Sequence, residues 1–422
     1  MKDKKRTVRR DRMMRAYERL LKYVCVPTAS SETSGTVPTT QCQFNLAHML
    51  VDEMKKMGIE DAHVDDKCYV YGTIPATPGY EDRTRLGFIA HMDTVSDFAD
   101  KQVQPQLHPD YNGDDLPLGE SGRSLEVRNF PHLPSLKGRT LITSNGTTIL
   151  GADDKAGVAE ILTMAEELLK GEIPHGKISI GFTPDEEVGS GADHFDVAGF
   201  GAEFAYTVDG SQEGEIEYEN FNASAATVTL KGFNIHPGSA KDTMINAALV
   251  AMEYDSMLPK SQTPRDTEGY EGFFHLTKME GNVEKAVLSY IIRDHMANSF
   301  EKREEIMKDI ADQLNKKYGE GTATVVIKES YRNMAEKIRP CYHLIENALK
   351  AAKLAGVEPK VVPIRGGTDG ARLSYMGLPC PNLGTGGFAF HGPYEHITVE
   401  GMDIAARTLI EIVKIYSERQ EA

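Results

Sequence analysis

The sequence is poor in cysteine and has no long apolar segment. Its five cysteines are an odd number, and none forms a Cys-x-x-Cys pair. This argues against a disulfide framework and a thiolate metal site, and it is typical of a protein in a reducing cytosol. We therefore expect a cytoplasmic location. No stretch approaches the ~18 consecutive apolar residues that a membrane-spanning helix needs.

Basic residues are also in deficit. The 422 residues include 47 Lys and Arg against 63 Asp and Glu, which gives a net charge of -16. Because phosphate binding needs clustered Lys and Arg, this balance predicts neither a nucleic-acid partner nor an anionic membrane surface. The one basic run, at residues 1–15, lacks the apolar core of a signal peptide, and we interpret it as a solvated start or the first turn of a helix.

What the sequence does contain is short apolar runs that alternate with helical patterns. Residues 15–58 predict two amphipathic helices around a polar loop. The runs "RLGFIA", "KISIGFT" and "FAYTV" end at His91, at the acidic residues 185–187 and at Asp209. This pattern predicts an α/β fold with a mostly parallel sheet and helices on both faces. Ligands of such sheets bind at the carboxyl ends of the strands, where these candidates lie.

A second pattern begins at Asn222. It reads strand, helix, two strands, helix, strand, which is the ferredoxin-like α+β arrangement. We predict an inserted lid domain at 222–333, with a catalytic domain at 1–221 and 334–422. Within residues 1–221, the segment "TLITSNGTTIL" predicts a hairpin that turns at Asn145-Gly146. The stretch 104–136 predicts a long loop that is either functional or disordered.

Two motifs combine histidine or aspartate with a strand end or a helix start. In "HMDT", His91 and Asp93 suit a zinc ligand and the carboxylate that fixes its tautomer. A buried histidine with a local partner fits these residues equally well. In "GADDKAG", Asp153 and Asp154 precede a helix. Taken alone, this motif favours ordinary N-capping by Asp154 over metal binding.

Two further motifs carry carboxylates and histidines in glycine-rich surroundings. In "TPDEEVGSG", Glu187 suits a metal ligand and Glu186 a general base. The two roles need a loop, because on a regular strand the two side chains would face opposite ways. A plain acidic loop is the alternative. In "FHGPYEH", His391 and His396 flank Glu395, in a segment that fits a ligand loop, a lid or a packed loop.

Together these motifs supply five nitrogen and oxygen donors without sulfur, namely His91, Asp153, Glu187, Asp209 and His391. That set suits two borderline cations that share one carboxylate. Paired cations would offset the repulsion within the acidic run at 185–187. If the chain were a purely structural α/β protein, the occurrence of these five donors would be a coincidence. If it were a non-catalytic metal binder, it would not need a free carboxylate at Glu186.

The motifs "HMDT", "GADDKAG", "TPDEEVGSGADHFD", "TVDG", "HPG", "IRGGTDG" and "FHGPYEH" occur in the order found in the zinc-dependent peptidases of clan MH, family M20. Longer strings, such as "TEGYEGFFHL" and "PIRGGTDGARLSYMGLPCPNL", resemble the aminotripeptidases of that family. The resemblance runs from about residue 15 to the end. It implies two zinc ions per subunit, one held by His91, Asp153 and Asp209 and the other by Asp153, Glu187 and His391.

The resemblance also implies roles around the metals. Asp93 would orient His91, and Glu186 would be the general base that takes a proton from the bridging water and returns it to the leaving amine. His236, from the inserted domain, would polarise the scissile carbonyl. Without the resemblance, the sequence around His236 favours an ordinary histidine in a Pro-Gly turn. Arg293 and Arg365 would hold the C-terminal carboxylate of the peptide, and a surface ion pair is the alternative for each.

We therefore predict a di-zinc aminopeptidase that removes the N-terminal residue from tripeptides. The alternative is another M20-type amidohydrolase, either an acyl-amino-acid deacylase or a carboxypeptidase. The partner expected for this protein is a small peptide substrate. The sequence leaves the oligomeric state open, with a homodimer as one alternative.

Overall fold

The structure, a computed structural model, describes residues 13–418. Most of the basic run at 1–15 lies outside the described residues. In the described part, no helix is both long and apolar enough to cross a membrane. The α-helices are α1 (Ala16–Tyr23), α2 (Gln43–Met57), α3 (Ala152–Leu168), α4 (Val197–Phe200), α5 (Ala247–Met257), α6 (Ala297–Tyr318), α7 (Ala335–Ile338), α8 (His343–Ala355), α9 (Asp369–Tyr375) and α10 (Val399–Ser417).

The strands are β1 (His63–Val64), β2 (Val70–Ile74), β3 (Leu86–His91), β4 (Gln106–His108), β5 (Leu116–Pro117), β6 (Ser124–Leu125), β7 (Leu141–Thr143), β8 (Ile178–Thr183), β9 (Phe204–Gly210), β10 (Glu215–Glu217), β11 (Asn222–Lys231), β12 (Phe273–Gly281), β13 (Lys285–Asp294), β14 (Ala323–Tyr331), β15 (Lys360–Val361), β16 (Asn382–Gly384), β17 (Gly387–Phe388) and β18 (His396–Thr398). Short 3-10 helices span Leu133–Leu136, Glu186–Val188, Pro237–Ser239 and Arg339–Cys341. The two helices predicted in residues 15–58 are confirmed as α1 and α2.

The chain divides into two compact units, and the first contains the residues up to Ile216, Cys341–Val361 and the residues from Met376 onward. Its main sheet has the order β1-β2-β8-β3-β9-β16-β10-β15. Strands β8, β3, β9 and β16 pair in parallel, whereas β1 and β2 are antiparallel. All residues of β3 and β8 are buried, so both faces of the sheet centre are covered. The predicted mostly parallel sheet is confirmed.

The second unit comprises Glu217–Pro340 and Val362–Tyr375. Its sheet has the order β12-β13-β11-β14, and all neighbouring strands are antiparallel. Buried and less buried residues alternate along β13, because one face packs against α5 and α6 around Leu288 and Phe300. The strand and helix order confirms the ferredoxin-like arrangement. The catalytic and lid roles assigned at 1–221, 334–422 and 222–333 stay predictions.

The hairpin predicted at Asn145-Gly146 is wrong. β7 forms the first arm, but residues 147–150 form no strand, and β7 pairs with β4 and β18 instead. Side chains close the turn: Asn145 Oδ1 accepts from the Thr147 amide, and the Ser144 hydroxyl donates to the Thr148 carbonyl. These local bonds replace the ladder that a hairpin would need.

The long stretch at 104–136 is an ordered part of the first unit. It contains β4, β5 and β6 and surrounds a small apolar cluster of its own. Leu118, Leu125 and Leu133 are fully buried in that cluster. Of the two alternatives offered by the sequence, disorder is therefore wrong, and a functional role stays a prediction.

A buried arginine joins three helices of the first unit. Arg19 of α1 is 2% exposed and pairs with Glu53 of α2 at 2.8 Å and with Glu166 of α3 at 2.6 Å. We predict that Arg19→Met lowers the free energy of unfolding by about 3 kcal/mol, because two carboxylates lose their buried cation. Urea unfolding measures this. As a control, Arg85→Met removes the exposed pair with Glu203 and should cost less than about 1 kcal/mol. Equal effects would contradict the prediction.

Candidate functional site

Three neighbouring strands of the main sheet end at one edge. β8, β3 and β9 lie side by side, and they lead into the turn at 185–187, His91 and Asp209. The beginning of α3 adds Asp153, and the connection between β17 and β18 adds His391. The parallel pairing thus collects side chains that are far apart in the sequence.

Asp153 lies at the centre of this group. Its Oδ1 is 3.0 Å from Nε2 of His91, and its Oδ2 is 3.0 Å from Nε2 of His391. The same nitrogen of His91 is 3.3 Å from Asp209 Oδ1, and the same nitrogen of His391 is 3.2 Å from Glu187 Oε2. The five predicted donors therefore form two sets that share one carboxylate.

The donor set fits a pair of zinc ions. Zinc bonds to nitrogen and oxygen of about 2.0–2.2 Å at tetrahedral angles place ligand atoms roughly 3.3–3.6 Å apart, close to the separations found here. Glu187 gives a second indication of a cation, since its Oε1 is buried and has no hydrogen-bond partner among the described residues. A buried carboxylate oxygen in that state is costly unless a cation or proton reaches it.

Asp154 also lies near the group, within 4.8 Å of donor atoms of His91 and Asp209. Its carboxylate is, however, engaged with the main chain. Oδ2 accepts from the His91 amide at 3.1 Å, and Oδ1 accepts from the Gly157 amide at 3.2 Å. The second bond is the capping contact expected from "GADDKAG". The two adjacent aspartates therefore differ in environment, and Asp153 has the contacts expected of the shared ligand.

The pKa values in the group reflect histidines packed among carboxylates. Burial alone would lower the pKa of His91, but Asp209 and Asp153 outweigh it and raise that pKa well above its usual value. Hydrogen bonds to Asp153 and Glu187 raise the pKa of His391 to about 11. Burial raises the pKa of Asp209 to about 7, although His91 opposes the shift. The surrounding carboxylates thus favour positive charge here, either from protons on the histidines or from bound cations.

Asp93 organises the turn that carries the acidic run. Its Oδ1 accepts from the Glu186 amide at 2.9 Å, and its Oδ2 accepts from the Glu187 amide at 3.2 Å. The Asp93 carbonyl lies 3.0 Å from Nδ1 of His91, which therefore carries a proton, and Nε2 faces Asp153 and Asp209, where a metal would bind. Glu186 and Glu187 lie in a 3-10 helix, as the different roles predicted for them require.

Glu395 is a residue whose importance the sequence analysis missed. It is 2% exposed, and its carboxylate accepts from the main-chain amides of Leu150 and Gly151, each at 2.7 Å, and of Asp153 at 3.0 Å. It thereby fixes the chain that presents Asp153. Its position between two histidines in "HGPYEH" was the only signal. His396 is buried, and its ring nitrogens face the Tyr394 carbonyl and His132, so it is separate from the donor set.

The other three predicted residues lie in the second unit. His236 is exposed, and its Nδ1 accepts from the Gly238 amide at 3.1 Å, so its Nε2 carries the proton. Arg365 donates to the carbonyls of Gly269 and Glu271 and to Thr267, and its guanidinium lies over Phe221 and Phe273. The Arg293 guanidinium lies over the ring of Tyr331.

Comparison with known proteins identifies relatives along nearly the whole chain. A peptidase T of Clostridium perfringens (strain SM101 / Type A) is 53% identical over 408 residues, which cover 96% of this chain and 100% of that protein. A peptidase T of Alkaliphilus oremlandii (strain OhILAs) is 51% identical over 410 residues, with coverages of 96% and 100%. A family model described as a peptidase dimerisation domain matches residues 218–322.

Solved structures share the fold. Aminopeptidase PepT from Bacillus cereus ATCC 10987 and a tripeptidase from Staphylococcus aureus each have a TM-score of 0.76 and 22% identity, and each comparison covers 96% of this chain and 99% of the other. A dinuclear metal binding peptidase from the M20 family, from Bacillus subtilis, has a TM-score of 0.61 at 16% identity and covers 95% and 98%. The predicted fold class is confirmed. The chain is a peptidase and belongs to the peptidase T family of the M20 peptidases.

Proposed function

We propose that the chain is a di-zinc aminopeptidase that removes the N-terminal residue from tripeptides. The observation that carries this proposal is the position of Asp153, with one oxygen toward His91 and the other toward His391. The names of its relatives support the substrate class, since solved neighbours are called an aminopeptidase and a tripeptidase. A neighbour described as dinuclear supports the number of metals.

His91, Asp153 and Asp209 would hold one zinc ion, and Asp153, Glu187 and His391 would hold the other. When bound, zinc would supply Lewis-acid polarisation and would lower the pKa of water to roughly 7. Asp93 and Glu395 would keep the ligands in place through the main-chain contacts described above.

Glu186 would move the proton. Its main-chain amide donates to Asp93, which fixes the start of the 3-10 helix next to the proposed ligand Glu187. Glu186 would take a proton from the attacking water and deliver it to the amine that leaves when the peptide bond breaks. Glu186 is a carboxylate directly beside the proposed ligand Glu187 in the chain, which suits this role.

His236 would stabilise the oxyanion that forms at the attacked carbonyl. Because its Nδ1 accepts a main-chain hydrogen bond, its Nε2 is a donor that faces no partner among the described residues. A neutral imidazole N–H of this kind is suited to an oxyanion.

The carboxylate end of a tripeptide would bind to an arginine of the second unit. Arg365 already satisfies main-chain carbonyls around the loop at 267–271. Within residues 13–418, the Arg293 side chain makes no hydrogen bond or ion pair, so its guanidinium is available for bidentate contact with a carboxylate. These contacts favour Arg293 as the anchor and give Arg365 a supporting role. The match to a dimerisation domain supports a homodimer, and the cytoplasmic location stays a prediction.

Peptides of different lengths test the proposal. We predict that the protein, supplied with two equivalents of zinc, releases the N-terminal residue of a tripeptide and leaves its N-acetylated form intact. Dipeptides and tetrapeptides should react much more slowly, and a chelator should abolish the reaction until zinc is returned. Chromatography of free amino acids measures each case. Cleavage of the acetylated peptide would instead indicate a deacylase, and release from the carboxyl end would indicate a carboxypeptidase.

A further inference from the structure

Asp185, the first residue of the acidic run, has no part in the donor set. It is 1% exposed and has a left-handed backbone with a φ of 57°. It immediately precedes the 3-10 helix that contains Glu186 and Glu187. Within residues 13–418, it forms no ion pair with Lys or Arg. A buried carboxylate without a cation must be stabilised by hydrogen-bond donors.

Those donors come from one distant segment of the chain, residues 39–43. The Thr39 amide reaches both oxygens of Asp185, at 3.0 and 2.8 Å, and the Thr39 hydroxyl donates to Oδ1 at 2.6 Å. The side-chain amide of Gln43 donates to the same oxygen at 2.7 Å. Gln43 is fully buried, and its Oε1 accepts from the Asp185 amide at 3.3 Å.

The turn that carries Glu186 is therefore held from two sides. Asp93 accepts the amides of Glu186 and Glu187, while Thr39 and Gln43 hold the residue before them. Left-handed backbone is unfavourable for a residue with a side chain, so the bonds to Asp185 help to maintain the conformation that sets the direction of the turn. A change at Asp185 would shift the turn and with it Glu186, whereas Glu187 would still be held by its contact with His391 and by its amide bond to Asp93.

We propose that Thr39 and Gln43 are positioning residues for Glu186 and set the rate of its proton transfer through Asp185. The inference rests on the proposed role of Glu186 as general base. It also gives a function to Thr39, which lies in the polar loop between α1 and α2. Small errors in the placement of a reacting group reduce rates strongly, by roughly tenfold to hundredfold.

The test uses the full-length protein loaded with zinc and a tripeptide substrate. Thr39→Val removes the hydroxyl at nearly constant volume, and Gln43→Met removes the amide. We expect kcat to fall roughly tenfold for each and more for the double variant, with KM and zinc content changed less than roughly twofold. Thr39→Ser restores the hydroxyl and should restore kcat. Thr324→Val, at an exposed position of β14 in the second unit, should have no effect.

The outcomes separate this inference from the proposed function. If Glu186→Gln is inactive but the Thr39 and Gln43 variants keep normal kcat, the positioning role is wrong and the general base stands. If those variants lose zinc, or if KM rises while kcat is unchanged, the segment supports the fold or the substrate site, and the positioning role is again wrong. If Glu186→Gln stays active, Glu186 is not the general base, and the positioning role that depends on it is wrong as well.

Discussion

Glu186→Gln is expected to bind two zinc ions normally and to lose activity on a tripeptide by roughly 10²–10⁴-fold. The amide has the same shape as the carboxylate, so the hydrogen bond from the residue 186 amide to Asp93 should persist. It cannot accept the proton of the attacking water, however. The loss should therefore appear in kcat, with KM nearly unchanged.

Steady-state kinetics and metal analysis of the same preparations check this expectation. Glu60→Gln is the matched control, because Glu60 is exposed and lies outside the donor set. Its kinetics should equal those of the unchanged protein. A Glu186→Gln variant that retains more than roughly a tenth of the activity would rule out the general base.

Asp153→Asn should weaken zinc binding at both positions and abolish activity. Each oxygen of Asp153 faces a different histidine, so one neutral amide removes negative charge from both donor sets. The new amide nitrogen would also be a donor and cannot ligate a cation. Loss of even a supporting partner of a metal ligand weakens binding roughly 10- to 100-fold, and loss of a shared ligand should exceed that range.

Titration of the metal-free variant with zinc measures this loss directly, by calorimetry or with a competing chromophoric chelator. Asp66→Asn is the control, because Asp66 is an exposed aspartate of the same unit. If Asp153→Asn still bound two zinc ions with unchanged affinity, the shared-carboxylate arrangement would be wrong.

The position of the candidate site was predictable from the sequence because of one physical regularity. His91, the turn at 185–187 and Asp209 each follow a continuous apolar run, and such runs form parallel strands that are buried on both faces. Parallel strands bring their carboxyl ends to one edge, so residues more than a hundred positions apart could be placed together. The order of strands and helices in 222–331 likewise predicted the ferredoxin-like fold of the second unit.

The remaining features depend on contacts that no local pattern encodes. Asp153 and Asp154 are adjacent and chemically identical, and only the fold turns one toward two histidines and the other toward main-chain amides. Glu395 reaches back more than two hundred residues to the start of α3. The prediction of a hairpin at Asn145-Gly146 was wrong because β4 and β18 pair with the two edges of β7.

A crystal structure of the zinc-loaded protein with anomalous data at the zinc edge tests the central claim most directly. The account predicts two anomalous peaks in each chain, one beside His91 and Asp209 and the other beside Glu187 and His391, with Asp153 in contact with both. A single peak, or peaks away from Asp153, would contradict it.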